Sequence, residues 1–268
     1  MRIATWNINS VRLRIDLVES FIRQYSPDVL CLQEIKCPND AFPMKRFAKL
    51  GYAHADIHGQ KGYHGVATLS RLPAHSVGPL DFCKVGDCRH LATDIETAGG
   101  RVRVHNFYIP AGGDEPDPAI NPKFAHKLAF LDELDGWTGE KAHLGGLDSA
   151  IALGDFNIAP LEDDVWSHKQ LLKVVSHTPV ETEKLVRWQQ RGNFVDLARQ
   201  HTPPPEKLFT WWSYRARDWD VSNRGRRLDH IWSTPDIAPA ARRIEIVRDA
   251  RGWERPSDHV PVIADFSF

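Results

Sequence analysis

The chain is punctuated by apolar runs that each end on a residue with an oxygen or an imidazole to offer, and this narrows what it can fold into. Ile3-Ala4-Thr5-Trp6 delivers Asn7, and Val29-Leu30-Cys31-Leu32-Gln33 delivers Glu34. Ile151-Ala152-Leu153-Gly154 delivers Asp155, with Asn157 two residues on; Leu228 introduces Asp229-His230-Ile231; Ser257-Asp258-His259 precedes Val260-Pro261-Val262. Short apolar runs read as buried strands, and strand ends are where loops build sites. A fold that gathers these ends would surround one hard cation and one phosphoester with carboxylate, amide and imidazole groups.

Between these runs the spacing predicts further elements. Arg2 to Asn7 reads as a strand, Leu13 to Tyr25 as an amphipathic helix closed off by Ser26-Pro27-Asp28, and Val29 to Gln33 as a buried strand. His90 to Glu96 and Arg101 to Tyr108 alternate apolar and polar residues around Ala98-Gly99-Gly100, a hairpin with one covered face. Pro122 to Trp137 has helical spacing, with Phe124, Leu128, Leu131 and Leu134 on one side. Strands are expected at Ile151 to Leu153, Phe209 to Trp212, Leu228 to Ser233, Ile244 to Val247 and Val262 to Phe266, and a helix at Glu181 to Arg191. The turn-rich stretches, Pro110 to Pro122 and His201 to Pro205, separate no segments that could each form a core. All 268 residues are therefore expected in one large two-sheet α/β domain.

Several function classes drop out. The Gly-x-x-x-x-Gly-Lys-Ser/Thr loop, Gly-x-Gly-x-x-Gly, Gly-x-Ser-x-Gly and His-Glu-x-x-His are all absent. Lys plus Arg number 34 against 35 for Asp plus Glu, so any nucleic-acid contact must come from a local patch. Four cysteines are too few for a disulfide framework, and Cys83, Cys88 and His90 lack the fourth ligand of a structural zinc site. The first residues lack the apolar core of a secretory signal and no run could span a bilayer, so a cytoplasmic location with reduced thiols is expected.

Each candidate residue also has a plainer role. Gly154-Asp155-Phe156-Asn157 reads as a turn, or as an extended segment whose Asp155 and Asn157 share one face while Phe156 turns to the core. Glu34 suits a cap and Asn7 a turn amide. Together, carboxylate and amide oxygens suit Mg2+, with Mn2+ as a substitute. Asp229 and His259 form a candidate carboxylate–imidazole pair, His259 standing at a strand entry rather than on an apolar face. Asp258 beside it is a candidate ligand or a turn residue.

Read in order, these segments resemble the exonuclease III family of abasic-site endonucleases, within the endonuclease, exonuclease and phosphatase superfamily. The resemblance runs from Thr5-Trp6-Asn7-Ile8-Asn9 through Leu32-Gln33-Glu34-Ile35-Lys36 and Gln60-Lys61-Gly62-Tyr63-His64-Gly65 to Asn106-Phe107-Tyr108-Ile109-Pro110. It continues through Gly154-Asp155-Phe156-Asn157, Trp211-Trp212-Ser213-Tyr214-Arg215, Arg227-Leu228-Asp229-His230 and Pro256-Ser257-Asp258-His259. It implies a four-layer α/β/β/α sandwich of two packed mixed sheets flanked by helices, with the site at one edge. It also implies Glu34, with Asn7 nearby, holding Mg2+ against the scissile phosphate, within reach of Asp155, Asn157, Asp258 and His259. Asp155 would deprotonate the attacking water or protonate the departing 3′ oxygen; Asn157 would orient Asp155 and stabilise the transition state. His259, held by Asp229, would contact a phosphate oxygen, and Tyr108 the leaving group or phosphate. The loop Ala111-Gly112-Gly113-Asp114-Glu115-Pro116-Asp117-Pro118 is longer and more acidic than the family's.

The implied activity is Mg2+-dependent incision of duplex DNA 5′ to an abasic site, leaving a 3′ hydroxyl, with 3′ to 5′ exonuclease and 3′-phosphatase action, by a monomer without a membrane partner. Arg89 resembles a phosphate-contacting arginine and Trp211 a wall of the abasic pocket. Five arginines, Arg215, Arg217, Arg224, Arg226 and Arg227, stand near Trp211, Trp212 and Trp219 and could grip the backbone, although the latter two tryptophans suit the core equally. Two alternatives keep the fold: a non-catalytic nucleic-acid-binding regulator, and a lipid or inositol phosphate phosphoesterase.

Overall fold

The computed structural model describes residues 1–268. One sheet has the order β11 (Ala241–Ile246), β12 (Val262–Phe266), β1 (Arg2–Asn7), β2 (Val29–Gln33), β4 (Val66–Ser70), β3 (His54–His58). The other runs β5 (Ala74–Gly78), β6 (His90–Thr97), β7 (Gly100–Tyr108), β8 (Ala150–Asp155), β10 (Asp229–Ser233), β9 (Val195–Asp196). Each sheet holds one parallel pair, β1 with β2 and β7 with β8, among antiparallel neighbours. The expected α/β/β/α sandwich is present.

Period-two alternation assigns the strand residues to layers. Ile3, Val29, Cys31, Val102, Val104, Ile151, Leu153, Ile231 and Val262 face one another between the sheets. Their neighbours Ala4, Trp6, Leu30 and Leu32 face outward under helix Ile15–Tyr25, packing on Val18, Phe21 and Ile22. On the far side Phe107, Ala152 and Trp232 pack beneath helices Pro122–Gly139 and Pro179–Arg191, against Leu131, Leu134, Leu185 and Trp188. The second of these helices starts where Thr178-Pro179-Val180-Glu181 provides a capping box with proline in the first turn.

The inward face changes character along each strand. Apolar at one end, it becomes Asn7 on β1, Gln33 on β2, Asn106 and Tyr108 on β7, Asp155 on β8 and Asp229 on β10, all buried. Buried polar groups need partners, and these find each other across the layer: Gln33 Nε2 donates to Asn106 Oδ1 at 2.7 Å and to Thr5 Oγ1 at 3.0 Å. The polar edge of the inner layer is where the site forms.

Three expectations are corrected. Phe209 to Trp212 is not a strand: Thr210 and Trp211 N–H both donate to Arg226 O, whereas Trp212 N–H donates to Asp258 O, leaving isolated bridges. The buried face of helix Pro122–Gly139 takes Lys127 and Phe130 rather than Leu128. Arg227 does not reach solvent; fully buried, it pairs with Asp164 through Nε and Nη2 and with Asp196 through Nη1.

Behind β6 and β7 a chain of neutral imidazoles crosses the core. Leu80 N–H reaches His90 Nδ1 at 3.1 Å, His90 Nε2 lies 3.0 Å from His105 Nδ1, and His105 Nε2 lies 2.7 Å from His143 O. One proton per ring satisfies every bond, and burial drives the pKa of His105 down to about 3. The fold holds this ring neutral while the unfolded chain protonates it near 6.5, so its contribution is intact above that pH and is lost as pH falls. Between pH 8 and pH 5 this amounts to about 2 kcal/mol. His105→Asn should therefore lose about 2 kcal/mol less over that interval than the unmodified chain, read from urea unfolding at both pH values; parallel losses would contradict the neutral-ring assignment.

Candidate active site

The polar strand ends meet at the floor of a cleft of about 590 Å³. Asn7 joins them: its amide nitrogen donates to Glu34 Oε1 and to Asp155 Oδ2, both at 2.9 Å. Its amide oxygen accepts the Asn9 N–H at 3.1 Å, so Asn7 here bridges the two carboxylates through its nitrogen.

Asp155 and Asn157 converge, but by a turn rather than by an extended pleat. Asn157 sits in the left-handed region at φ 53°, a conformation that asparagine tolerates better than most residues. Its backbone N–H then reaches Asp155 Oδ1 at 2.9 Å, and its side-chain nitrogen reaches Asp155 Oδ2 at 3.1 Å and Ile109 O at 2.9 Å. Glu34 likewise leaves β2 at φ 50°, where it accepts from Tyr108 Oη at 2.9 Å and pairs with Lys36 at 2.7 Å.

His259 completes the floor. Its Nδ1 lies 2.9 Å from Asp229 Oδ2 and its Nε2 lies 3.7 Å from Asp155 Oδ2. Thr210, inside the segment expected as a strand, donates to Asp229 Oδ2 at 2.6 Å and accepts the backbone N–H groups of Leu228 and Asp229. It is the missed member of the site: its segment folds as a loop with isolated bridges, where strand alternation cannot assign a face.

Electrostatics follow from burial and pairing. Burial raises Asp155 to about 7, against the opposing charge of His259. Burial alone would depress His259, but the Asp229 charge and hydrogen bond outweigh it and carry the imidazole up to about 10. Glu34 stays below its usual range despite burial, because Lys36 and the Asn7 amide favour the ionised form. Burial and the neighbouring carboxylates raise Tyr108 well above 10, so its hydroxyl remains a donor.

The donors fit a hard divalent cation. Ligand atoms of Asp155, Asp229 and His259 lie within 4.8 Å of one another, but a charged imidazole has no lone pair to give, so the oxygen donors on offer are the Glu34 and Asp155 carboxylates drawn together on the Asn7 amide. Asp229 Oδ1 is buried with no hydrogen-bond partner, an uncompensated acceptor of the kind a cation or its water would satisfy. Asp258 stands at the rim, where its Oδ2 accepts Trp211 Nε1–H at 2.9 Å.

The walls of the cleft are aromatic and cationic. Trp211 lies under the Arg226 guanidinium at 5.2 Å and Trp166 under that of Arg224 at 4.7 Å, with Arg215 and Leu228 beside them. Trp212 is buried in the core and donates to Asn223, and Trp219 packs against it. Arg89 does not line the cleft. It lies behind it, over the Tyr108 ring at 5.0 Å and paired with Asp87 at 2.8 Å, in an adjoining cavity.

A family model described as the Endonuclease/Exonuclease/phosphatase family matches residues 4–259. The exodeoxyribonuclease III of Haemophilus influenzae is 34% identical, covering 99% of this chain and 100% of its own. Among solved structures, an AP endonuclease from Archaeoglobus fulgidus is 32% identical with a TM-score of 0.88, covering 100% of both chains. A 3′ phosphatase from Neisseria bound to product DNA hairpin is 31% identical with a TM-score of 0.88, again covering 100% of both. No helix is long and apolar enough to cross a membrane.

Proposed function

Because the chain belongs to the endonuclease/exonuclease/phosphatase family, we propose that it hydrolyses the DNA backbone 5′ to abasic sites with Mg2+, leaving a 3′ hydroxyl, and that it also trims or dephosphorylates 3′ ends. The broader statement, that it is a DNA-repair nuclease of the exodeoxyribonuclease III type, rests on relatives matched along the whole chain. The observation that carries the narrower reading is the hydrogen-bonded chain of Tyr108, Glu34, Asn7, Asp155 and Asn157, with the Asp229–His259 pair 3.7 Å from Asp155, under a cleft walled by Trp211, Arg224 and Arg226.

Glu34 and Asp155, with Asp258 and His259 near, are the groups that would hold Mg2+, whose chemistry is to draw charge from a phosphate oxygen and lower the barrier to attack. Asp155 serves as general base. Each hydrogen bond it makes comes from an N–H donor, which leaves it the acceptor, and burial raises its proton affinity above that of an ordinary carboxylate. Asn157 fixes Asp155 in position. Charged His259, locked by Asp229, offers Nε2–H to a phosphate oxygen, and the Tyr108 hydroxyl stabilises charge that develops in the transition state. Trp211 and Leu228 offer an apolar wall for a baseless sugar, and Arg215 and Arg224 are exposed for the flanking backbone.

The test is incision of an end-labelled duplex with one tetrahydrofuran abasic analogue, in Mg2+ and in EDTA. Cutting that requires Mg2+ supports the reading. A duplex bound but uncut favours the binding-protein alternative, and no binding favours a small phosphoester substrate.

A further inference from the structure

Lys127 is fully buried, an expensive place for an ammonium group, and its three donors are all used. Nζ donates to Asn157 O at 2.8 Å, to Ala111 O at 3.3 Å and to Glu181 Oε1, itself fully buried. Glu181 in turn accepts Ser176 N–H at 3.0 Å, and Thr178 through N–H at 3.2 Å and Oγ1 at 2.6 Å. Ser176 Oγ and Val175 O then receive Arg226 Nη1 at 2.8 and 2.9 Å.

One ion pair thus ties together the turn that carries Asn157, the loop after Tyr108, and the wall that carries Arg226. The loop is fitted to it: at Gly112, φ +89°, a Cβ would stand 2.9 Å from Lys127 Cδ. Holding a left-handed Asn157 by its own carbonyl leaves that residue little freedom to relax away from Asp155. A neutral or apolar pair of the same volume would serve packing alone as well, because buried ion pairs gain little net stability over such replacements.

We propose that Lys127, backed by Glu181, is a positioning residue for the catalytic turn: it acts on turnover through the Asn157 carbonyl rather than by touching substrate. The proposal rests on the function assigned above. The experiment compares the unmodified chain, Lys127→Met, and the double variant Lys127→Met/Glu181→Gln on the tetrahydrofuran duplex in Mg2+, with thermal unfolding of each. Lys127→Met strands a buried carboxylate and should unfold at lower temperature; the double variant removes both charges and should recover most of that loss. If Lys127 positions the turn, kcat stays about 100-fold down in the double variant, while KM changes by less than about threefold.

Recovery of kcat together with stability, or a folded Lys127→Met enzyme with unaltered kcat, would overturn the proposal and leave the pair a packing element. A double variant whose main defect is in KM would also overturn it, by moving the effect to the Arg226 wall. An unmodified chain that leaves the duplex uncut would remove the function assignment and this proposal with it, which separates that failure from the others.

Discussion

Asp155→Asn should cut turnover on the abasic duplex about 10⁴-fold while the protein stays folded and binds the duplex as before. Loss of a well-placed general base costs about 10²- to 10⁴-fold, and the upper end applies because this carboxylate is also a candidate ligand of the cation. An amide has nearly the same shape but cannot take up a proton. Its oxygen can keep the Asn157 N–H, whereas its NH2 would face the Asn7 and Asn157 side-chain nitrogens, both donors. That mismatch is offset by removing a carboxylate whose ionisation burial already opposes. The unfolding midpoint should move by no more than about 4 °C. Single-turnover incision with a parallel binding titration checks this, and turnover within tenfold of the unmodified chain would take Asp155 out of the base role.

His259→Ala should lower turnover about 10³-fold, the scale expected when one preorganised donor to a developing charge is removed. Unlike Asp155→Asn, it should also destabilise the fold by about 3 kcal/mol. The reason is Asp229, which would keep Thr210 Oγ1 as its side-chain partner and lose the imidazole, with Oδ1 already unpartnered. Adding Asp229→Asn removes the stranded charge, so the double variant should regain stability in urea without regaining turnover. If stability and activity return together, the pair is structural and the phosphate contact belongs elsewhere.

Much of the site was legible because it is written at strand ends. Asn7, Glu34, Tyr108, Asp155, Asp229 and His259 each follow or precede an apolar run, and alternation put Asn7, Tyr108, Asp155 and Asp229 on the inner face. What alternation could not convey was the way each chain leaves its strand. Glu34 and Asn157 adopt left-handed turns, so Asn157 reaches Asp155 by folding back rather than by the extended spacing that residues two apart suggest. The arginine cluster was legible as a composition but not as a role. Arg224 faces the cleft, whereas Arg227, three residues on, is buried against Asp164 and Asp196. Arg89 lies behind Tyr108 for the same kind of reason: its position depends on Asp87 and on the Tyr108 ring, not on its neighbours' pattern.

By itself the amino-acid sequence determined β1, β2, β6, β7, β8, β10, β11 and β12 and the chemical types that collect at one edge, because period-two burial and capping are local properties of neighbouring residues, whereas β3, β4, β5 and β9 emerge only in the folded sheets. Only the tertiary structure decided who holds whom. Asn7 lies 148 residues from Asp155, His259 30 from Asp229, and Lys127 54 from Glu181. A lysine on a helix face gives no sign that it will be buried until a carboxylate from another helix meets it. Removing a charge from water is tolerable only where that partner and two backbone carbonyls are already in place.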